Sequence, residues 1–416
     1  MGPIALFDKS FLQSLNVDES VWFDHFFLTV VSPFFYVETL ADLAKTFKAP
    51  RIPDQQVRAI AEKFPEMHGT PCALHISLAL GNLEGHPVPL TGQIPLVGGR
   101  MVRAGNRTGV VYEASHEAEA FSRWQEGEFL AVEREFARIW RQSLSTLDLD
   151  EIGRRFKMIG IGGESSRTLS EAKEAASRVV TDSRRTHQLI ELVLLFLGAG
   201  QQQRAEILAR WTEAGSPPMA AYAPYAAYVL TVELFFQLAL AASLISRARP
   251  SNRMDIAYLF YLPFAMVFIS SDRLHARCPP FFLRIDQEFV WGPDLKKDLS
   301  RLNEYFAQLP QDTKEKGVLT FAGSPPRDGD FLVAQLWDKH LRPWRDRPEE
   351  PLQLSSEARG RLINQLRQIQ EARELPPDRV DFDPRDTDSL HLSRRVRKRK
   401  GSWWQVPKHL KADDTK

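Results

Sequence analysis

Short apolar runs, each followed by a polar residue, alternate along this chain with longer segments in which apolar residues recur at helical spacing. Ile4 to Phe7 is the first such run and predicts a strand. Ala265 to Ile269 predicts another, which is apolar on both faces as the strands of a parallel sheet are. Most of the chain between these two runs has the helical spacing. The pattern therefore predicts an α/β fold with a central, mostly parallel sheet.

The rest of the chain is organised around the segment from Met254 to His275. We expect it to begin with a short helix that has Asp255 in its first turn. Pro263 should close this helix, because the residue before a proline avoids the helical region. The second predicted strand follows and ends in Ser-Ser-Asp, which puts Asp272 at its carboxyl end. Open α/β sheets bind their ligands at that edge.

Further acids are expected near the same edge. Asp8 directly follows the first predicted strand, as Asp272 follows the later one. Pro33 begins a predicted helix in which Glu38 and Asp42 stand four residues apart and share one face. Taken by themselves, Glu38 and Asp42 are more simply explained by a helix face that points into water.

Asp8, Glu38, Asp255 and Asp272 are thus expected to converge, with Asp42 as a possible fifth member. Carboxylates about 5 Å apart repel by roughly 3 kcal/mol per pair at an effective dielectric near 20. A folded protein keeps such a cluster only if a cation neutralises it or some acids stay protonated. Oxygen ligands select Mg²⁺ or Mn²⁺, and these ions activate water for attack on a phosphodiester. The acids therefore predict hydrolysis of a nucleic-acid backbone.

Four short motifs occur in the order found in the PIN-like nuclease superfamily, which the chain resembles. They are IALFD ending in Asp8, SPFFYVETL with Glu38, DIAYL opening with Asp255, and VFISSDR with Asp272. The resemblance implies a PIN-like three-layer fold and a divalent-metal-dependent nuclease in which these four acids bind Mg²⁺ or Mn²⁺. It also implies a nucleic-acid partner, with RNA favoured over DNA. Because roughly two hundred residues separate the second motif from the third, a large, mainly helical insertion is expected.

This interpretation divides the chain into five parts. Residues 1–66 and 215–310 would form the PIN-like domain, and residues 67–214 the insertion, with a hairpin between Gln93 and Tyr112 followed by helices. Helical spacing predicts a long helical region from Ser115 to Asp148, a second helix at about 150–157, and another long helix from Ser170 to about Leu197. Residues 311–375 are predicted to form C-terminal helices. Residues 376–416, rich in Pro, Asp and Arg, are predicted to be a flexible basic tail.

Two groups of basic residues are candidates for binding nucleic acid. Arg273 and His275 follow the fourth acid by one turn and could contact a phosphate, although a structural role explains them as well. The tail carries a basic run before two tryptophans, which could bind phosphates and stack on bases. A solubilising or protein-binding tail is an equally open interpretation. The run contains Arg394, Arg395, Arg397, Lys398, Arg399 and Lys400.

Composition adds few constraints. Of 416 residues, 43% are apolar and 26% charged, as in ordinary soluble proteins, and the net charge of +1 excludes an argument for polyanion binding from total charge. Cys72 and Cys278 lie too far apart in the sequence to form a metal-ligand motif. No secretory signal is visible. We therefore expect a cytoplasmic protein. Met219 to Ser246 is the best membrane candidate, but Glu233 favours a buried core helix instead.

Two rival hypotheses remain open at this stage. The chain could be a PIN-like scaffold that has lost catalysis and binds nucleic acid or protein. It could also be an all-helical interaction protein in which the acids never meet. A protein partner or homo-oligomer is compatible with each of these hypotheses.

Overall fold

The structure is a computed structural model. It describes residues 2–45, 52–66, 73–92, 100–105, 107–112, 116–146, 166–341, 343–346, 355–375, 389–392 and 396–410. The strands in these ranges are β1 (Ile4–Phe7), β2 (Leu28–Val30), β3 (Arg100–Ala104), β4 (Arg107–Tyr112), β5 (Val267–Ser270), β6 (Glu288–Trp291), β7 (Ser389–Leu392), β8 (Arg399–Lys400) and β9 (Trp403–Trp404).

Helices surround these strands. In chain order they are α1 (Lys9–Ser14), α2 (Val17–Phe26), α3 (Pro33–Ala41), α4 (Pro53–Ala61), α5 (His75–Leu83), α6 (His116–Glu126), α7 (Ala131–Ser145), α8 (Leu169–Thr181), α9 (Thr186–Phe196), α10 (Gln201–Glu213), α11 (Met219–Tyr222), α12 (Pro224–Ala241), α13 (Asn252–Ala257), α14 (Arg273–Arg277), α15 (Gly292–Ala307), α16 (Gln311–Lys314), α17 (Val318–Phe321), α18 (Leu332–His340) and α19 (Ser356–Gln370).

The central sheet has four strands in the order β2-β1-β5-β6, and every neighbouring pair is parallel. Side chains alternate across β1, so Leu6 faces one hydrophobic core while Ala5 and Phe7 face another. Phe268 of β5 joins the first core and Ile269 joins the second. Both faces of the sheet are therefore covered by helices, and the prediction of an α/β fold with a parallel sheet is confirmed.

Helices from the predicted insertion, residues 67–214, contribute to both of these cores. α5 and α8 to α10 pack with α11 and α12 in the core that contains Leu6. Phe121 and Trp124 of α6 and Ala137 of α7 lie in the core that contains Phe7. The helices between the second and third acidic motifs thus contribute to the layers on both faces of the sheet.

A second, smaller sheet contains the predicted hairpin. β3 and β4 are antiparallel and connect through Gly105, whose φ of 61° lies in the left-handed region that glycine adopts readily. β7 pairs with β4 in parallel. Val102 and Val111 pack against Ile369 of α19 in a small separate core.

Three helix predictions need correction. The helical region predicted to begin at Ser115 is two helices, α6 and α7, because Gly127 between them has a φ of 82°. The long helix predicted from Ser170 to Leu197 is also two helices, separated by the 3₁₀ turn Ser183–Arg185. Pro263 does not close the helix that carries Asp255; it lies inside the 3₁₀ segment Tyr258–Phe264, which continues α13. The second predicted helix, 150–157, lies outside the described residues.

The prediction of a flexible tail is wrong for residues 396–410. Trp403 is 4% exposed, its ring centroid lies 4.7 Å from that of Trp22, and its indole N–H donates to Asn303 Oδ1 at 2.8 Å. Arg397 forms an ion pair with Glu66. Apolar burial and ion pairing with distant acids therefore hold this segment on the domain.

One helix, Pro224–Ala241, is long and apolar enough to span a membrane by length and composition. In this structure 78% of its apolar window is buried, and Glu233 within it is 5% exposed. This burial agrees with the interpretation of the segment as a core helix.

Candidate acidic site at the sheet edge

The order of the strands reverses between β1 and β5 of the sheet. From β1 the chain passes to β2 on one side, and the later strands β5 and β6 lie on the other side. The carboxyl ends of β1 and β5 therefore lie side by side at the point where the strand order reverses, which is where open α/β sheets bind ligands. Asp8 follows β1 directly, and Ser270 ends β5.

Asp8 is the most constrained acid at this edge, being only 4% exposed. It is the N-cap of α1, and its Oδ1 accepts a hydrogen bond from the Phe11 amide at 3.0 Å. Its Oδ2 accepts from the hydroxyls of Ser10 at 2.7 Å and Ser270 at 2.8 Å. Burial would raise the pKa of Asp8, but these hydrogen bonds and the neighbouring His275 lower it overall. Asp8 is therefore ionised.

His275 is the buried cation beside Asp8. Its Nδ1 lies 2.8 Å from Ser270 Oγ and 3.4 Å from Asp8 Oδ2, and its Nε2 lies 2.6 Å from the backbone oxygen of Asp255. Because the Ser270 hydroxyl donates its one proton to Asp8, it must accept from Nδ1, and a carbonyl oxygen can only accept from Nε2. Both ring nitrogens thus carry protons. Burial would lower the pKa of His275, but Asp8 and Asp255 raise it to about 9.

Glu38 approaches the same edge from α3. Its Oε2 accepts a hydrogen bond from the hydroxyl of Tyr258 at 2.6 Å. Burial raises the pKa of Glu38, and the nearby charge of Lys9 partly opposes this effect. Burial and the Glu38 charge in turn keep the pKa of Tyr258 well above its ordinary value, so Tyr258 remains the donor.

Asp255 is a half-buried acid on α13. Burial raises its pKa, as do the charges of Glu38, Asp272 and Asp8, and the result is a pKa of about 7 despite the opposing effect of His275. Acids from four separate elements therefore lie close enough for their charges to act on one carboxyl group. The hypothesis of an all-helical protein is wrong, because the chain forms a four-stranded parallel sheet.

Asp272 follows β5 and begins α14. Its Oδ1 accepts from the Leu274 amide at 2.6 Å, and its own amide donates to Ser270 Oγ at 2.9 Å. Ser270 thus contacts three groups of the site at once, namely Asp8, His275 and Asp272. The turn after β5 is held in place by these hydrogen bonds.

Asp42, the possible fifth acid, is held by lysines. Its carboxylate lies 2.6 Å from Lys9 Nζ and 3.8 Å from Lys45 Nζ, and the residue is 4% exposed. Lys9 also donates to the backbone oxygen of Glu38 at 2.9 Å. Asp42 is therefore buried and internally neutralised, and does not point into water as the simplest interpretation of its helix face would have it.

The donor chemistry of the site suits a divalent cation, but its present geometry is not that of a formed metal site. Within the described ranges, no group of three or more His, Cys, Asp and Glu side chains is arranged to hold a metal ion. Burial raises the pKa values of Asp255 and Glu38 most, and neighbouring acids raise them further. A bound cation would favour the ionised form of both carboxyl groups.

The basic residues that were predicted to contact nucleic acid differ in their exposure to solvent. Arg273 is exposed at the rim of the site, whereas His275 is fully buried and bound internally. Lys400 is 2% exposed and donates to the Phe64 backbone oxygen at 2.9 Å, and Arg397 pairs with Glu66. These internal contacts occupy the charged groups of Arg397 and Lys400.

Two other members of the basic run lie near the indole ring of Trp404. The charged groups of Lys398 and Arg399 lie 5.6 Å and 5.4 Å from the ring centroid of Trp404. Arg394 and Arg395 lie outside the described residues. Among the described residues of this run, Lys398 and Arg399 thus remain candidates for phosphate contact.

Several residues of the site were not singled out from the sequence. Lys9 and Ser10 follow Asp8 directly in the sequence. A hydroxyl two residues after a helix-capping acid often bonds to that acid, so the local sequence could have indicated Ser10. Tyr258 carried no such signal, since it meets Glu38 across 220 residues of chain.

Comparison with family models, with curated proteins and with solved structures returned no match to this chain.

Proposed function

We propose that this protein is a divalent-metal-dependent nuclease that hydrolyses phosphodiester bonds of RNA, or of DNA, at the edge of its central sheet. One observation supports the proposal: Asp8, Glu38, Asp255 and Asp272 come from four elements, and the charges of the other three acids raise the pKa of Asp255. A buried or half-buried cluster of acids at a ligand-binding edge is the arrangement expected of a site for Mg²⁺ or Mn²⁺.

The finer assignment to a PIN-like fold is part of this proposal. A parallel sheet with helices on both faces is compatible with it, and so is the position of the first and fourth acids after adjacent strands. Asp42 is left out of the proposed ligand set because Lys9 already neutralises it.

Asp255 and Glu38 would hold the ion, with Asp272 and Asp8 completing the set. A divalent cation bound there would activate water and stabilise the departing oxygen of the phosphodiester. The buried His275 keeps Asp8 ionised and fixes the turn after β5 through Ser270. Tyr258 orients the Glu38 carboxylate by its hydrogen bond. Arg273, exposed at the rim, would contact a substrate phosphate.

The test is cleavage of labelled single-stranded RNA and DNA with Mn²⁺ by the wild type, Asp255→Asn and Asp272→Asn. Asp286→Asn is the matched control, because Asp286 is exposed and paired with Arg284. We expect cleavage by the wild type and the control, and loss of activity in the two site variants. Equal residual activity in all four proteins would show that any cleavage comes from a contaminant.

A second candidate function is a catalytically inactive PIN-like module that binds nucleic acid or protein. His275 and Lys9 favour it, since they supply two cations inside the site and so reduce the need for a metal. Calorimetric titration with Mn²⁺ separates the two functions, because a binding module should show no acid-dependent uptake. Such a module should instead lose RNA affinity in the double variant Lys398→Ala, Arg399→Ala.

A further inference from the structure

Helix α1 leads away from the acidic site, because it begins directly after Asp8. Its six residues span about 9 Å. Ser10 and Ser14 on this helix are half-buried, and Gln13 is exposed. A polar surface therefore connects Asp8 with the carboxyl end of α1.

Two lysines bind adjacent backbone carbonyls at that end of the helix. Lys63 Nζ donates to the oxygen of Gln13 at 2.9 Å, and Lys296 Nζ donates to the oxygen of Ser14. These are carbonyls that a helix end leaves free, and each ammonium group has three N–H donors, so donors remain for a further acceptor. Burial and the charge of Lys296 lower the pKa of Lys63. Glu19 lies 3.9 Å from Lys296 Nζ and compensates only part of this paired positive charge.

The hairpin formed by β8 and β9 adjoins these lysines. Lys400 of β8 donates to the backbone oxygen of Phe64 at 2.9 Å, and its Nζ lies 3.4 Å from the backbone oxygen of Lys63. Arg397, just before β8, donates to the backbone oxygen of Glu62 at 2.9 Å. The hairpin is thus held against the segment that carries Lys63.

Three cations of the hairpin segment surround one indole ring. The charged groups of Lys398, Arg399 and Lys408 lie 5.6 Å, 5.4 Å and 5.9 Å from the ring centroid of Trp404. Lys408 forms an ion pair with Glu315 at 2.7 Å. Within the described ranges, Lys398 and Arg399 have no ion-pair partner. Because Trp404 is only half-buried, positive charge is in excess around an accessible aromatic ring.

We propose that a single strand of nucleic acid binds along this surface, from the acidic site over α1 to the β8–β9 hairpin. One phosphate would accept hydrogen bonds from Lys63 and Lys296, and a later phosphate would accept from Lys398 and Arg399. Cations that follow the backbone beside an aromatic ring are typical of surfaces that bind single strands. The ring favours unpaired bases, since these expose a face for stacking.

The position of the reactive bond on this strand rests on the proposed function, whereas the contacts with the four cations do not. The strand would enter the acidic site beside Asp8 and leave it along α1. The cations would therefore select a substrate that extends beyond the bond that is cleaved.

The experiment measures binding of a labelled single-stranded RNA of about 12 nucleotides by fluorescence anisotropy, in EDTA and at salt concentrations of about 0.05–0.2 M. The double variants Lys63→Gln, Lys296→Gln and Lys398→Gln, Arg399→Gln should each bind about tenfold more weakly than the wild type. Each should also lower the slope of log affinity against log salt concentration by about 1.4, the value for two lost phosphate contacts with a single strand. Unchanged affinity and slope in the hairpin variant would overturn the proposal.

The matched control is the double variant Arg184→Gln, Arg185→Gln, which removes two adjacent exposed charges that pair with Asp182. Its affinity and salt slope should equal those of the wild type, and a loss as large as that in the hairpin variant would contradict the proposed surface. The hairpin variant also covers the case in which loss of the α1 caps unfolds the lysine variant.

Competition identifies the class of partner. Unlabelled single-stranded RNA should displace the labelled strand, whereas polyglutamate and duplex RNA at equal charge concentration should displace much less. Equal displacement by polyglutamate would indicate an acidic protein as the partner, and equal displacement by the duplex would exclude a preference for single strands; either result overturns the proposal.

Binding in EDTA requires neither Mn²⁺ nor cleavage, so this proposal and the nuclease proposal fail separately. RNA that binds through the four cations but is never cleaved would remove only the nuclease. Cleavage by the wild type with unchanged RNA binding in both double variants would remove only this surface.

Discussion

Removing the charge of Asp255 should stabilise this protein at neutral and alkaline pH. Its pKa of about 7 lies above the ordinary value of 3.8, so the folded state disfavours the charged form. At low pH the Asp255 carboxyl is protonated in both states and does not destabilise the fold. The destabilisation grows as this carboxyl ionises in the unfolded chain above about pH 4, and it is complete above about pH 7. The rise of the Asp255 pKa from 3.8 to about 7 corresponds to about 4 kcal/mol, and partial solvent exposure reduces this to about 2–4 kcal/mol.

The assay is urea unfolding of the wild type and Asp255→Asn at about pH 8 and about pH 5, without divalent ions. We expect the variant to have the larger free energy of unfolding at pH 8, and the difference to fall below about half at pH 5. Asp286→Asn, at an exposed paired acid, should change stability by less than about 0.5 kcal/mol. A destabilised Asp255→Asn at pH 8, or a difference that does not depend on pH, would refute the reasoning.

Three further changes test other contacts. His275→Gln should lower the free energy of unfolding by about 3 kcal/mol at pH 6, where the ion pair between His275 and Asp8 is fully formed. In urea unfolding, this loss should shrink as the pH rises through about 9. Ser270→Ala removes hydrogen bonds to three groups of the site and should lower the free energy of unfolding by about 1–3 kcal/mol; no loss would mean that water replaces the hydroxyl. Trp403→Ala should cost about 3–5 kcal/mol, and an unchanged thermal midpoint would contradict the packing of the C-terminal segment.

The sheet edge and its acids could be predicted because their signals are local. A short apolar run that ends in an acid identifies both β1 with Asp8 and β5 with Asp272, whichever helices cover the sheet. β6 was not identified as a strand, since it begins with a charged residue, Glu288, and only one of its four side chains is fully buried. The strand is recognisable once its pairing with β5 is known.

The contacts that set the charges of the site could not be predicted from local pattern. Ser270 meets Asp8 across 262 residues, and nothing near either residue in the sequence indicates the pairing. The prediction of a flexible basic tail is wrong at residues 396–410 for the same reason. A cluster of charges usually faces solvent, but Lys400 is buried near Asp24, an acid from the opposite end of the chain.

The most direct test of the central claim is the number of Mn²⁺ ions bound, measured from the electron paramagnetic resonance signal of free Mn²⁺ during titration at about pH 8. The account predicts that the wild type and Asp286→Asn remove Mn²⁺ from solution with saturation at one or two ions, and that Asp255→Asn and Asp272→Asn remove much less. Equal removal by all four proteins, or none by the wild type, would contradict it.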